Sequence, residues 1–305
     1  MSALAAGLRS IPLALVGSAS ARLHDLTTAD TAIRMPLTLN RRIGFVQAAG
    51  GAGSSTVAAG VASIFANRRA GLVLGVNASG GDRNLLWHAG VPAGERVAGR
   101  TRPLNAAEAA AGLPVARTGL IGLDLRDPQH PTTPVPSRAW FDRINPVSRF
   151  FDLAITDWGV RSWQIDLAQV SLASHVLCVV TPSRRHELED AAAIVPALTG
   201  VEDGPRVVLV IVDVGGPGRS HNPVGIGAEL GVPVLRIPRE PSAGAAHPVA
   251  SAHQSARTRI AFAQLAGTIM TEAQLSLRAE LSSQPAPNQP ASTQPASNQL
   301  SEAQA

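Results

Sequence analysis

The stretch Ala49-Gly50-Gly51-Ala52-Gly53-Ser54-Ser55-Thr56 has the make-up of an anion cradle. Glycines let backbone N–H groups converge on one point, and a helix opening just after them adds partial positive charge from its N-terminus. An apolar run, Ile43-Gly44-Phe45-Val46, leads into the turn, and residues 57–65 read as the helix that leaves it. Strand, glycine turn and helix in that order are the framework of a phosphate-binding loop. The residues that would handle a phosphoryl group are only partly present. A working loop places a lysine just before its hydroxyl pair, and Ser54 occupies that place. The chain has no lysine anywhere, so all 26 of its basic residues are arginine. The cradle is expected without its cation.

The elements that must position this turn are legible as short apolar runs. Residues 72–76, 120–125, 153–156, 176–181 and 207–212 are continuous and rich in β-branched types, as buried parallel strands are, and 234–237 is a shorter one. Helix-compatible stretches lie between them at 105–111, 163–172, 187–198 and 226–230, and 255–277 forms a longer late helix with Phe262, Leu265 and Ile269 on one face. Such alternation predicts an α/β fold: a doubly wound, mostly parallel sheet with helices on both faces. Residues 126–137 carry four prolines (Pro128, Pro131, Pro134, Pro136) and read as an irregular loop.

Composition narrows the function classes. A chain of 305 residues that is 45% hydrophobic and 16% charged can bury a sizeable core, and no apolar run reaches the length of a membrane span. The net charge of +4 allows non-specific nucleic-acid attraction without demanding it. Cys178 sits inside an apolar run and reads as a small buried hydrophobe; a lone cysteine excludes an intrachain disulfide. The eight histidines lack metal-ligand spacing. Residues 1–37 read as an N-terminal arm and 38–280 as the main domain. Leu13-Ala14-Leu15-Val16 looks only faintly like a secretory signal and Pro12 breaks it, so a cytoplasmic location is expected. From 281 to 305, a Gln-Pro-Ala triplet recurs in polar sequence, and a disordered tether is expected.

Taken in order, the motifs resemble the MinD/ParA family of deviant P-loop ATPases, and most of all the actinobacterial branch associated with type VII secretion. Ala49–Thr56 aligns with that family's loop, residues 77–85 with its second element, Phe151–Asp157 with its Walker B strand, and Val179-Val180-Thr181-Pro182 with the strand before its next helix. The resemblance implies ATP and magnesium as ligands. Gly50, Gly51, Ala52, Gly53, Ser54, Ser55 and Thr56 would contact the nucleotide, and Ser55 and Asp157 the metal. It also implies a protein partner or a homodimer, with no membrane span. The departures concern charge. Ala49 and Ser54 stand at the two lysine positions, Asn77 or Ser79 where an acid orients water, with Asp82 displaced, and Asp213 where an asparagine reads the base.

Phosphoryl transfer depends on positioning and charge stabilisation, so these losses imply a pseudo-ATPase with no catalytic residue, acting as a scaffold or regulator in secretion, cell-pole or division machinery. An alternative is a nucleotide-switched ATPase whose cation comes from Arg42, Arg83, Arg161 or a second subunit. A further one is ParA-like non-specific DNA binding.

Each residue also has a plainer role. The glycines could be only a tight turn, Ser55 and Thr56 helix caps, and Asp157 an acceptor for backbone N–H groups. Trp158 either fills vacated nucleotide space or covers a sheet edge. Arg184-Arg185-His186 is either an anion or partner site or a solvated helix end, and Arg68 and Arg69 suit a helix C-terminus.

Overall fold

In the sheet, successive side chains of each apolar run go to opposite faces, and both faces are covered. A computed structural model describes residues 20–93, 103–162, 166–201, 203–215, 223–240 and 253–283. Its strands are β1 (Arg41–Gln47), β2 (Val73–Asn77), β3 (Ile121–Asp124), β4 (Leu153–Val160), β5 (Val176–Pro182), β6 (Arg206–Val212) and β7 (Val234–Ile237). They pair in parallel in the order β3-β2-β4-β1-β5-β6-β7. The expected doubly wound α/β fold is what forms.

Helices α1 (20–34), α2 (Ser54–Arg68), α3 (Leu85–His88) and α9 (Ala256–Ser283) cover one face. There Phe65, Phe262 and Leu265 meet Ile43, Phe45, Ile155, Cys178 and Val210. The other face carries α4 (Ala106–Ala110), α5 (Ser137–Ser148), α6 (Leu167–Leu172), α7 (Arg185–Thr199) and α8 (Pro223–Leu230). Its core joins Trp140, Ile144 and Leu188 to Val46, Trp158, Leu177, Val179 and Leu209. Parity decides the face: Val176, Cys178 and Val180 of β5 face α2, while Leu177 and Val179 face the opposite layer. Cys178 is fully buried and free, and burial pushes its thiol pKa far up.

Several boundaries differ from the sequence expectation. Asn105 is the N-cap of α4 and not part of it, its side chain accepting the Glu108 N–H. The 163–172 helix starts at Leu167; residues 163–165 lie outside the described residues. Helix α5 is not expected from the sequence; it begins where the expected 126–137 loop ends and carries Pro146 inside it. Trp140, Ile144 and Val147, at i, i+4 and i+7, nonetheless bury one face of it. Helix α9 continues through Ser283, past the start expected for the polar tail, and 284–305 lie outside the described residues.

The basic runs are absorbed locally. Arg184 and Arg185 pair with Glu187 (3.1 Å) and Glu189 (2.7 Å) in the first turns of α7, a solvated helix end. Arg68 pairs with Asp30 of α1, while Arg69 turns inward and donates to the Ile33 and Met35 carbonyls, tying the end of α2 to the end of α1.

Candidate functional site

The glycine turn is built as the sequence requires. Gly51 and Gly53 have φ of 81° and 88°, the left-handed region that an L side chain rarely adopts, and α2 begins at Ser54. Gly53 is the N-cap residue of α2, and no side chain caps that helix. Ser55 and Thr56 are therefore not its caps: both lie inside the first turn, and Thr56 Oγ1 instead meets His88 Nε2 at 3.3 Å. Ala49 and Gly50 are exposed, whereas Ala52 is buried.

Ser54, at the position that a working loop gives to lysine, is buried. Its backbone N–H donates to Gln47 Oε1 (3.3 Å), and its hydroxyl to Asp157 Oδ1 (3.4 Å). Gln47, the last residue of β1, belongs to no motif in the sequence. Its place two residues before the glycine turn is the one signal that points to it.

Asp157 lies fully buried near the end of β4. Besides Ser54, its carboxylate accepts the Ser79 hydroxyl (3.3 Å), the Leu85 N–H (3.1 Å) and the Gly159 N–H (3.1 Å). Burial pushes its pKa up, opposed by hydrogen bonds from the Ser55 hydroxyl, the Leu85 and Gly159 amides and the Ser79 hydroxyl. Its geometry includes the plainer role, acceptor of backbone N–H groups.

The segment after β2 is held just as firmly. Asn77 Oδ1 accepts the Ser79 N–H (3.1 Å) and hydroxyl (2.8 Å), and Asn77 Nδ2 donates to Asp124 (2.9 Å). Arg126 forks onto Asp124 and reaches the Gly81 carbonyl (2.8 Å) and Asp82 (2.7 Å). Asp82 therefore belongs to this outer clasp, with a side chain 93% exposed.

A cavity of about 1200 Å³ begins at Gly51, Gly53 and Thr56, and Arg83, Trp87, His88 and Asp213 also line it. Asp213 is engaged by Arg236 at 2.9 Å. The three arginines that could substitute for the missing cation separate here. Arg83 lines the cavity, its guanidinium 5.5 Å from the centre of the Trp87 ring. Arg161 is buried and spent on the Trp158, Ala78 and Val135 carbonyls. Arg42 sits at the start of β1, the opposite end of that strand from the turn, beside His175 and Asn145. Trp158 neither fills nucleotide space nor covers a sheet edge. It is fully buried on the face away from α2, 5.6 Å from Trp140, where Gly44 leaves room for it: a Cβ there would lie 3.1 Å from its indole nitrogen.

Two archaeal structures set the comparison. The chain superimposes on the cell division ATPase MinD of Pyrococcus furiosus with a TM-score of 0.55 and 20% identity, over 76% of this chain and 99% of that one. The chain has a MinD/ParA-like fold. The septum site-determining protein MinD of Pyrococcus horikoshii, complexed with Mg-ADP, gives a TM-score of 0.55 at 19% identity, over 75% of this chain and 95% of that one. A ParA family ATPase of Chlorobium tepidum gives 0.50 at 19% identity, with 77% and 98% covered. No protein-family model and no curated protein matches the sequence. Among the described residues, no helix of this MinD/ParA-like fold is long and apolar enough to cross a membrane.

Proposed function

We propose that this protein is a MinD/ParA-like P-loop protein with a degenerate nucleotide site, which acts as a non-hydrolysing scaffold or regulator. The observation that carries the reading is Ser54, which stands buried where a working loop has lysine and turns its hydroxyl to Asp157.

Magnesium occurs with ADP in the structure of the Pyrococcus horikoshii protein. Here the Ser55 hydroxyl, which reaches the Asp157 carboxylate, and Asp157 itself, through water, are the residues that would hold such an ion beside nucleotide phosphates. What this site lacks is the lysine that would share the phosphate charge. The turn itself stays open, since a Cβ at Gly50 or Gly51 would meet nothing within 4 Å. A phosphate could therefore approach it without a lysine to hold it. A charge-assisted hydrogen bond is worth about 1.5–3 kcal/mol, so two missing lysines lower affinity by orders of magnitude.

The resemblance of four motifs in order supports partners in a secretion, cell-pole or division machinery, and a cytoplasmic location. The test is calorimetric titration with ATP and magnesium, together with a turnover assay. We expect binding no tighter than millimolar and turnover at background. Turnover well above background that Asp157→Ala abolishes would overturn the reading.

One observation favours a second reading, a nucleotide-switched protein: Arg83 does line the cavity beside the turn. That reading requires tight magnesium-dependent ATP binding that Arg83→Ala removes.

A further inference from the structure

The cavity does not stop at the glycine turn. It follows α2 from Thr56 to Arg68, roughly 18 Å at the helical rise per residue. Its floor is apolar, with Ile64 of α2 and Ala263 of α9 partly exposed over Val57, Ile33, Phe262 and Ile237, which are themselves almost wholly buried. Gly60 is what lets Phe262 lie so close to α2, because a Cβ there would come within 2.9 Å of the ring. At about 1200 Å³ the groove is larger than the ~300–1,000 Å³ of compact ligand pockets.

Five arginines and three carboxylates line it, so its charge is net positive. Arg83, Arg117, Arg239 and Arg259 line it, and none of them forms an ion pair among the described residues. Two of the acids are paired with arginines, Asp30 with Arg34 and Arg68 and Asp213 with Arg236, while Glu240 accepts the Ser255 N–H and keeps its negative charge. His88 adds no charge near neutrality, since burial and then Arg83 hold its pKa down at about 4. A long apolar floor under unpaired guanidinium groups is complementary to one kind of molecule.

We propose that this groove binds a single anion with a long apolar body, an acyl-chain phosphate or carboxylate, whose chain lies along α2 and whose head group meets the rim arginines. The inference goes beyond the scaffold reading and does not depend on whether ATP is hydrolysed.

Titration calorimetry on the full chain tests it with defined probes: dodecyl phosphate and octyl phosphate below their micelle concentrations, inorganic phosphate, dodecyltrimethylammonium and ATP. A fully buried methylene is worth about fourfold in affinity. We expect one saturable site that gains at least tenfold from octyl to dodecyl phosphate. Inorganic phosphate, ATP and the cationic amphiphile should each bind at least tenfold more weakly than dodecyl phosphate. Ser63→Trp on α2 and Ala263→Trp on α9 should each plug the groove and cost at least tenfold. The pair Arg239→Glu and Arg259→Glu should do the same with the thermal midpoint unchanged. Equal binding of the cationic amphiphile, affinity flat with chain length, or dodecyl phosphate binding that both plugs leave intact would overturn the proposal. If one plug fails to fold, the chain-length series and the other plug still decide. ATP turnover with no dodecyl phosphate binding would remove this inference and the scaffold reading separately.

Discussion

Asp157 Oδ2 accepts the backbone N–H of Leu85 at 3.1 Å, while its other oxygen, Oδ1, accepts the N–H of Gly159 at 3.1 Å. One buried carboxylate thus joins the end of β4 to the start of α3, across a sequence separation of 72 residues. Both oxygens face a backbone donor that cannot turn away, which makes the residue a structural junction.

Asp157→Asn should therefore destabilise the fold. An amide has one acceptor oxygen, so its NH2 group must face one of the two backbone N–H groups and leave that donor buried and unpaired. The expected loss is about 1–3 kcal/mol, read from the urea midpoint at constant m. An unchanged or raised midpoint would mean that the carboxylate is not the junction described.

Gly159→Ala should be worse than a typical surface change. Gly159 has φ of 65°, and a Cβ would lie 2.6 Å from that of Ser79, the residue whose hydroxyl reaches Asp157. Strain and the displaced Ser79 together predict a loss of roughly 2–4 kcal/mol. Gly50→Ala, with open space around its Cβ, is the control and should cost well under ~1 kcal/mol.

Arg126→Ala should loosen the segment after β2 without unfolding the sheet. Arg126 holds Asp124 on one side and the Gly81 carbonyl on the other. Its pKa is raised, first by the hydrogen bond to Asp124, and that of Asp124 is lowered by Arg126 against its own burial. Amide hydrogen exchange over residues 79–85 should quicken by about tenfold or more while β5 and β6 keep their protection. Uniform loss of protection would contradict a local clasp.

Acid should destabilise the protein well above the usual carboxylate range. His88 and His175 have pKa values lowered to about 4 and about 3. Burial is the larger cause in both, followed by Arg83 for His88 and by Arg42 and Arg41 for His175. A histidine with a depressed folded pKa is neutral in the fold but takes up a proton in the unfolded chain below pH ~6.5. Stability is thus full above that pH and falls as pH drops toward the folded values, by up to roughly 3 kcal/mol for His88 and roughly 5 kcal/mol for His175. Asp157, with its raised pKa, works in the opposite direction, because the folded state takes up that proton more readily. Asp124 contributes only below its ordinary range. Urea midpoints at pH 7 and 4.5 measure the net slope, and His88→Gln with His175→Gln should flatten it. A double variant running parallel to the parent would refute this account.

Much of the fold can be read from residues alone because it rests on local chemistry. Continuous β-branched runs are stable only where both faces of a strand are covered, so 176–181 and 207–212 announce a sheet with helices on either side. A glycine turn between a strand and a helix needs positive φ, which Gly51 and Gly53 adopt. Helix α5 is hidden from such a reading because Pro146 inside it is a strong local signal against a helix, and the tertiary burial of Trp140 and Ile144 overrides it.

What the chain order by itself determined is the turn, the parallel sheet and the absence of lysine from the whole molecule. Only the tertiary structure decided where the charged groups ended up. Arg42, Arg83 and Arg161 are equivalent as letters near motifs, yet one lies at the far end of β1, one lines the cavity and one is spent on buried carbonyls. The same holds for Asp157, whose donors Ser54, Ser79 and Leu85 come from segments that sequence leaves apart. A buried charge or dipole settles on whatever partners the fold brings within about 3 Å, and that proximity is a property of the packed chain.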